Sequence, residues 1–280
     1  MGEREEAAPG THGERIEALD RALASLGRVA VAFSGGVDST VLLHAARRVL
    51  GREHGVAVIA DSPSLPRAEL EDARRIAAAL DARLVEVRTG EGDDPRYRVN
   101  AGDRCYFCKA ALFDAMTAFA REEGFGVLAF GEIVDDWSDD RPGARAAREF
   151  GVVAPLSAAG LGKADVRRYA EEHGLEVAHK PASACLASRI PVGTEVTPER
   201  LATVERAEVA LRALGIRVLR VRHHGTHARV EVGADELSGC EARRPELARR
   251  LEECGFQTME LARYGRPGGP SGGAPGAAAG

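Results

Sequence analysis

Two groups of residues in this sequence have the types and spacing to do chemistry. One is the hexamer Ser34-Gly35-Gly36-Val37-Asp38-Ser39, and the other is a set of cysteines led by Cys105-x-x-Cys108. In the hexamer, paired glycines let the backbone approach an anion and turn several N–H groups towards it, while Ser34 and Ser39 add hydroxyl donors. An apolar run, Val29 to Phe33, precedes it and a helical pattern, Thr40 to Leu50, follows. The loop therefore sits where a helix adds its positive N-terminal end. No Gly-Lys-Ser/Thr follows, so it is not a Walker A loop.

Cys105 and Cys108 lie in Arg104-Cys-Tyr-Phe-Cys-Lys109, Cys185 stands alone, and Cys240 and Cys254 read as structural thiols near the C-terminal end. A Cys-x-x-Cys serves half a zinc site, a redox pair, two ligands of an iron–sulfur cluster, or two buried thiols. Zinc would draw further ligands from Cys185 and from His179, His223 or His224. A redox pair needs a thioredoxin-like context, which the sequence lacks. Three thiolates suit a [4Fe-4S] cluster with one open iron, and an open iron can hold an extra sulfide.

The elements that must position these groups alternate. Ile16–Leu26 has helical spacing, followed by the strand Val29–Phe33 and the helix Thr40–Leu50. Strands are expected at Gly55–Ala60, Arg83–Val87, Gly126–Phe130 and, briefly, Val152–Pro155. Helices are expected at Arg67–Leu80, Lys109–Glu123 and Lys163–His173. This order predicts an α/β fold with a doubly wound parallel sheet, in which ligands bind beyond the strands' carboxyl ends. After Lys180-Pro181 the texture changes. A helix from Pro198 to about Leu214, a hairpin of Arg217–His223 and His227–Val232 around Gly225, a helix near Pro245–Cys254 and a strand near Phe256–Leu261 read as a small α+β domain. The expected organisation is a disordered start (1–14), a nucleotide domain (15–189), the small domain (190–264) and a disordered Gly/Pro-rich tail (265–280).

The chain has 280 residues, 44% hydrophobic and 29% charged, ordinary for a globular protein with a buried core. Its net charge of −5 gives no global attraction to nucleic acid or membrane. No apolar run reaches the roughly 20 residues that span a bilayer, and the acidic N-terminus is unlike a signal peptide, so a cytoplasmic location is expected.

The hexamer resembles the PP-loop signature, Ser-Gly-Gly-x-Asp-Ser, of the ATP pyrophosphatase class. That resemblance implies binding of ATP with Mg²⁺, the loop gripping phosphates, Asp38 organising the metal, Asp61 and Ser62 lying by the adenosine, and Lys163 contacting phosphate. Further segments narrow it: Ala60-Asp-Ser-Pro-Ser-Leu-Pro-Arg67, the Cys105 segment, Arg141-Pro-Gly143, Lys180-Pro-Ala-Ser-Ala-Cys-Leu-Ala-Ser-Arg-Ile-Pro191 and Val221-Arg-His-His-Gly225. From about residue 15 to about 261 the sequence closely resembles the LarE family, ATP-dependent sulfur transferases of nickel-pincer nucleotide synthesis. The resemblance implies adenylation of a carboxylate of pyridinium-3,5-biscarboxylic acid mononucleotide, then displacement of AMP by sulfur. It makes Cys185 the sulfur-bearing residue. With Cys105 and Cys108 present it implies a cluster-bound sulfide; without them, the sulfur of Cys185 itself would be sacrificed. It assigns Ser188, Arg189, Arg220 and Arg222 to the substrate phosphate and Glu208 to a metal, and it implies a homo-oligomer. One loop departs: Gly131-Glu-Ile-Val-Asp135-Asp136 keeps the family's glycine and acid pair but lacks its Thr-Asn. The competing readings are a tRNA-thiolating PP-loop enzyme, against which the acidic charge weighs, a small-molecule amidating synthetase, and a nucleotide-sensing module.

Overall fold

Val29-Ala-Val-Ala32 is buried at every residue. Only a strand covered on both faces has that pattern, and here it is the strand β1 of a parallel sheet. The computed structural model describes residues 10–138, 142–181 and 183–265. Of the stretches expected to be disordered, 1–14 and 265–280, residues 1–9 and 266–280 lie outside the described residues, as do motif residues Arg141 and Ala182, while residues 10–14 are described and lead into a helix from His12.

Two compact units divide the chain, 1–187 with 192–198, and 188–191 with 199–280. In the first, α1 (His12–Leu26) leads into β1 (Val29–Ala32), α2 (Val37–Leu50), β2 (Gly55–Asp61), α3 (Arg67–Ala79) and β3 (Leu84–Arg88). Then come α4 (Pro95–Val99), α5 (Arg104–Glu123), β4 (Val127–Phe130), α6 (Pro142–Glu149), α7 (Pro155–Ala158) and α8 (Lys163–Glu172). The helix α1 starts before its apolar stripe because Thr11 and Glu14 form a capping box.

The sheet order is β3-β2-β1-β4, all parallel, as the alternation predicts. Period-two alternation splits the two sides. Val29, Val31, Ala57 and Ile59 pack with α1, α2, α3 and α8, while Ala30, Ala32, Val56 and Val58 pack with α5 and α6. Each fully buried aliphatic side chain contributes about 1.5–3 kcal/mol. The expected strand Val152–Pro155 reduces to one bridge, Ala129 to Val153. Pro155 has no N–H to donate and opens α7 instead.

The second unit holds α9 (Pro198–Arg212, whose first residue belongs to the first unit), β5 (Leu219–His224), β6 (His227–Val232), α10 (Leu237–Ala242), α11 (Arg244–Glu253) and β7 (Thr258–Arg263). β5 and β6 form the expected hairpin, and β7 joins β6 in parallel through α10 and α11. Cys240 and Cys254 are buried in its core, where burial raises their thiol pKa values.

Candidate active site

The strand order makes β1 and β4 neighbours while their connections run to opposite sides, so the crevice beyond their carboxyl ends is the sheet's switch point. The hexamer follows β1 there. Gly35 turns with φ +68°, a conformation that suits glycine. Gly36 caps α2 without a side chain, leaving the first-turn amides of α2 without a side-chain cap. The loop is braced internally: the Ser34 amide donates to Ser39 Oγ at 3.2 Å, and the two hydroxyls lie 3.1 Å apart. The loop after β4 presses on the same place. A Cβ added to Gly131 would lie 2.9 Å from the Ser39 amide nitrogen and 3.0 Å from the Asp38 carbonyl carbon. That contact gives Gly131 a physical reason despite the changed residues beside it.

Asp38 and Lys163 meet at the mouth of the loop, with Lys163 Nζ 2.8 Å from both carboxylate oxygens. The Lys163 amide also donates to Asp135 Oδ2 at 2.8 Å, which ties the start of α8 to the loop after β4. Of the residues expected by the adenosine, Asp61 pairs with Arg67, and Ser62 is buried with its hydroxyl 2.9 Å from that of Ser64.

The cysteine-bearing helix begins earlier than expected, at Arg104, so Cys105 and Cys108 stand three apart in its opening turns. The segment of Cys185 is fastened beside them. The Leu186 amide donates to the Ser64 carbonyl at 2.8 Å, and Arg104 donates to the Ala187 carbonyl at 2.8 Å. None of the five cysteines is in a disulfide. Burial, then Glu91, Cys185 and Cys105 push the Cys108 thiol up to about 12, while Lys109 counters them. The Arg104 contact holds the Cys185 segment against the start of the helix that carries Cys105 and Cys108. Burial lowers the Lys109 amine pKa, and the amine lies over the Phe113 ring, 5.6 Å from its centroid.

Residues not singled out in the sequence complete this neighbourhood. Glu91 is 3% exposed, accepts a 3.5 Å hydrogen bond from Ser64 through Oε1, and leaves Oε2 buried with no partner. The buried Tyr97 hydroxyl stands beside Ser64 and completes no hydrogen bond. Burial raises the Tyr97 pKa, and Cys108, Cys185 and Glu91 raise it further. Only a conformational fact could have revealed Glu91: a carboxylate this buried is rare.

Among the described residues, no three His, Cys, Asp or Glu side chains converge closely enough for a single metal ion. No single-ion zinc site is thus assembled among the described residues, and His179 lies 3.9 Å from Glu171. A four-iron cluster distributes its cysteines over different irons, so it does not need the convergence that a single ion does. The donor types fit such a group: Cys105 and Cys108 open one helix, the Cys185 segment is tied to the start of that helix through Arg104, and the buried Glu91 is tied to the same segment through Ser64.

In the second unit the arginines gather. Arg189 is buried against Glu208, Nε to Oε1 at 2.9 Å. Glu208 also accepts from Arg212 at 3.2 Å and from the Val221 amide at 3.1 Å. In this arrangement Glu208, the acid expected at a metal, is the counter-ion that fixes Arg189. Arg222 pairs with Glu231 at 2.7 Å and reaches the Ser188 carbonyl at 3.3 Å, and the Ser188 hydroxyl accepts from Arg189 at 3.0 Å. Arg220 has no ion pair among the described residues and stacks on Tyr264 at 4.7 Å. Burial lowers its pKa, and the Arg189 and Arg222 charges act in the same direction. Three guanidiniums with one lacking an acid make a site suited to an oxyanion.

No helix among the described residues is long and apolar enough to cross a membrane. No family model matches the chain. An uncharacterised protein of Synechocystis sp. is 38% identical over 254 residues, covering 89% of this chain and 94% of that protein. The pyridinium-3,5-bisthiocarboxylic acid mononucleotide synthase of Lactiplantibacillus plantarum is 35% identical over 243 residues, 87% of this chain and 88% of that one. The argininosuccinate synthase of Natronomonas pharaonis is 29% identical over 168 residues, 54% of this chain and 40% of its own length. With the parallel sheet, such relatives bear out the PP-loop fold read from the hexamer.

Proposed function

Since the chain belongs to the LarE family, and is thereby an ATP-using PP-loop enzyme, we propose that it converts carboxylates of pyridinium-3,5-biscarboxylic acid mononucleotide to thiocarboxylates. The observation that carries this reading is the fastening of the Cys185 segment to the start of the Cys105–Cys108 helix, in the same unit as the phosphate loop. An amidating synthetase or a nucleotide sensor has no use for such a set of thiols.

The chemistry follows from a poor electrophile. A substrate carboxylate oxygen attacks the α-phosphorus of ATP, the bond to pyrophosphate breaks, and an acyl-adenylate results. The hexamer amides, Ser34, Ser39 and Lys163 hold the phosphates, and the helix end stabilises charge that grows on the departing pyrophosphate. Asp38 would hold Mg²⁺, which offsets that charge when bound. To do so Asp38 exchanges its Lys163 partner, which moves to phosphate. Asp61, Ser62 and Gly131 border the nucleotide. Arg189, Arg220, Arg222 and Ser188 take the substrate phosphate; that Arg220 pairs with no acid among the described residues supports this assignment.

Cys105, Cys108 and Cys185 would hold a [4Fe-4S] cluster, which supplies sulfide as the nucleophile when loaded. The acyl carbon accepts the sulfur, AMP leaves, and a second cycle treats the other carboxylate. The protein acts as a cytoplasmic homo-oligomer, and sulfide or another small sulfur source reloads it.

The test compares pyrophosphate release with the pyridinium mononucleotide and with tRNA, alongside mass spectrometry of the products. Release and thiocarboxylate formation with the mononucleotide alone are expected; thiolation of tRNA instead would refute the substrate assignment. Anaerobic purification with iron and sulfide analysis addresses the sulfur source. A colourless protein whose Cys185 becomes dehydroalanine during turnover would replace the cluster with the sacrificial route.

A further inference from the structure

Glu91 plays no part in the chemistry described so far, yet it sits in the middle of it. It lies in the short 3₁₀ turn Glu91–Asp93, which packs against α4 and against α5, the helix of Cys105 and Cys108. Its Oε1 is held by Ser64, and the carbonyl of Ser64 in turn holds Leu186, the residue after Cys185. One side chain is thus linked by packing to the helix of one thiol pair and by a two-step hydrogen-bonded path to the segment of the third thiol. Its other oxygen, Oε2, is buried without a donor although the residue is only 3% exposed. A buried carboxylate oxygen with no donor is costly, so the surroundings are built for a partner that the polypeptide does not itself supply. No arginine or lysine pairs with Glu91 among the described residues. Lys109 is the cation that acts on Cys108, and its amine rests over the Phe113 and Phe130 rings.

Cys105, Cys108 and Cys185 leave one iron of a four-iron cluster without a protein ligand, and a carboxylate is a competent oxygen ligand for iron. We infer that Glu91 Oε2 is the exchangeable fourth ligand of that cluster, occupying the open iron until hydrosulfide displaces it. This rests on the cluster reading above. The exchange breaks one iron–oxygen bond and forms one iron–sulfur bond, with hydrosulfide supplying the electron pair. The carboxylate leaves with its own pair, and no oxidation state changes. Glu91 then keeps its Ser64 contact, so the same residue both protects the iron from adventitious ligands and yields it to the sulfur source.

The experiment uses the full chain, reconstituted anaerobically with iron and sulfide and freed of excess sulfide, as wild type, Glu91→Gln and Glu91→Asp. Gln keeps the shape and an acceptor for Ser64 but is a much weaker iron ligand; Asp keeps the charge but shortens the reach. Circular dichroism checks the fold. Mössbauer spectra are expected to show a distinct iron site in wild type that shifts in Glu91→Gln. Hydrosulfide, titrated by the optical spectrum, is expected to bind Glu91→Gln at least about tenfold more tightly, because no internal ligand competes. Iron-loaded wild type and Glu91→Gln with the same spectra and hydrosulfide affinities within about twofold would overturn the inference while leaving the cluster standing. Wild type that takes up no iron overturns both. If Glu91→Gln fails to fold, wild type grown on isotope-labelled glutamate decides. A carboxyl carbon coupled to the reduced cluster in electron–nuclear double resonance supports ligation, and its absence refutes it.

Discussion

Replacing Glu208 by leucine should unfold the second unit far more easily than the loss of a surface helix glutamate would, because Glu208 is buried. The side chains of Glu208 and Arg189 are 6% and 4% exposed. Leucine is close in volume, so packing is largely kept while the charge and its contacts go: Arg189 Nε at 2.9 Å, Arg189 Nη2 at 3.3 Å, Arg212 at 3.2 Å and the Val221 amide at 3.1 Å. Arg189 is then a buried guanidinium without its anion. Removing one partner of a buried pair costs about 3–5 kcal/mol. In a unit this small, each kcal/mol lowers the melting temperature by about 4–8 °C, so a fall of at least about 10 °C is expected. Differential scanning calorimetry measures it, with guanidinium unfolding followed by circular dichroism as the check. The double variant Arg189→Met with Glu208→Leu should recover most of the loss, because an apolar pair of similar volume replaces the ion pair at little cost. A Glu208→Leu protein melting with wild type would refute the reasoning. So would a stabilisation of wild type by added Mg²⁺ or Zn²⁺ that vanishes in the variant, since that would make Glu208 a metal ligand after all.

Three further outcomes are expected. Gly131→Ala drives a methyl to within 2.9 Å of the Ser39 amide, and overpacking of about 1–3 kcal/mol should displace the phosphate loop; equilibrium dialysis with ATP should show affinity at least about tenfold weaker, and an unchanged affinity would count against the contact. Burial, aided by His173 and Arg48, holds the His44 pKa down at about 4. The unfolded chain takes its proton near pH 6.5, so stability from this site is present above that pH and lost as pH falls towards 4, by roughly 1–2 kcal/mol given its partial exposure. The stability slope between those pH values should flatten in His44→Gln, and equal slopes in both proteins would contradict the assignment. With the Cys108 thiol at about 12 and Cys105 exposed, iodoacetamide at pH 8 on metal-free protein should label Cys105 well before Cys108. Peptide mass spectrometry reads the order, and equal labelling rates would disprove it.

The strand–helix alternation is legible because β1, β2 and β4 are short, largely apolar runs and the edge strand β3 alternates apolar and charged residues, patterns that period and length identify. Legibility ended where tertiary contacts decide. The sequence pattern starts α5 at Lys109, whereas the structure begins it at Arg104, where helix geometry brings both cysteines to one side. The short helices α4, α6, α7 and α10 are too brief for periodicity to register. The hexamer, the cysteines and the arginines were readable as chemistry because their residue types are unusual in those contexts. Glu91 and Tyr97 were not, since an acid and a phenol in a polar stretch look like surface until burial is known. Glu208 was visible as an acid, but its three donors arrive from Arg189, four residues along its own helix and the backbone of β5.

The fastening of the Cys185 segment to Ser64 and Arg104 has a consequence for biosynthesis. Those anchors belong to loops and helices that are in place only once the parallel sheet has formed, and Cys185 follows the last strand of that sheet. While the chain is still on the ribosome, the emerging protein offers just Cys105 and Cys108, a two-toothed chelator with no third tooth. On the cluster reading proposed above, loading with iron would be a late event acting on a finished scaffold, and a cell short of iron would hold folded, empty protein, in contrast to small metal-nucleated domains that collapse without their ion.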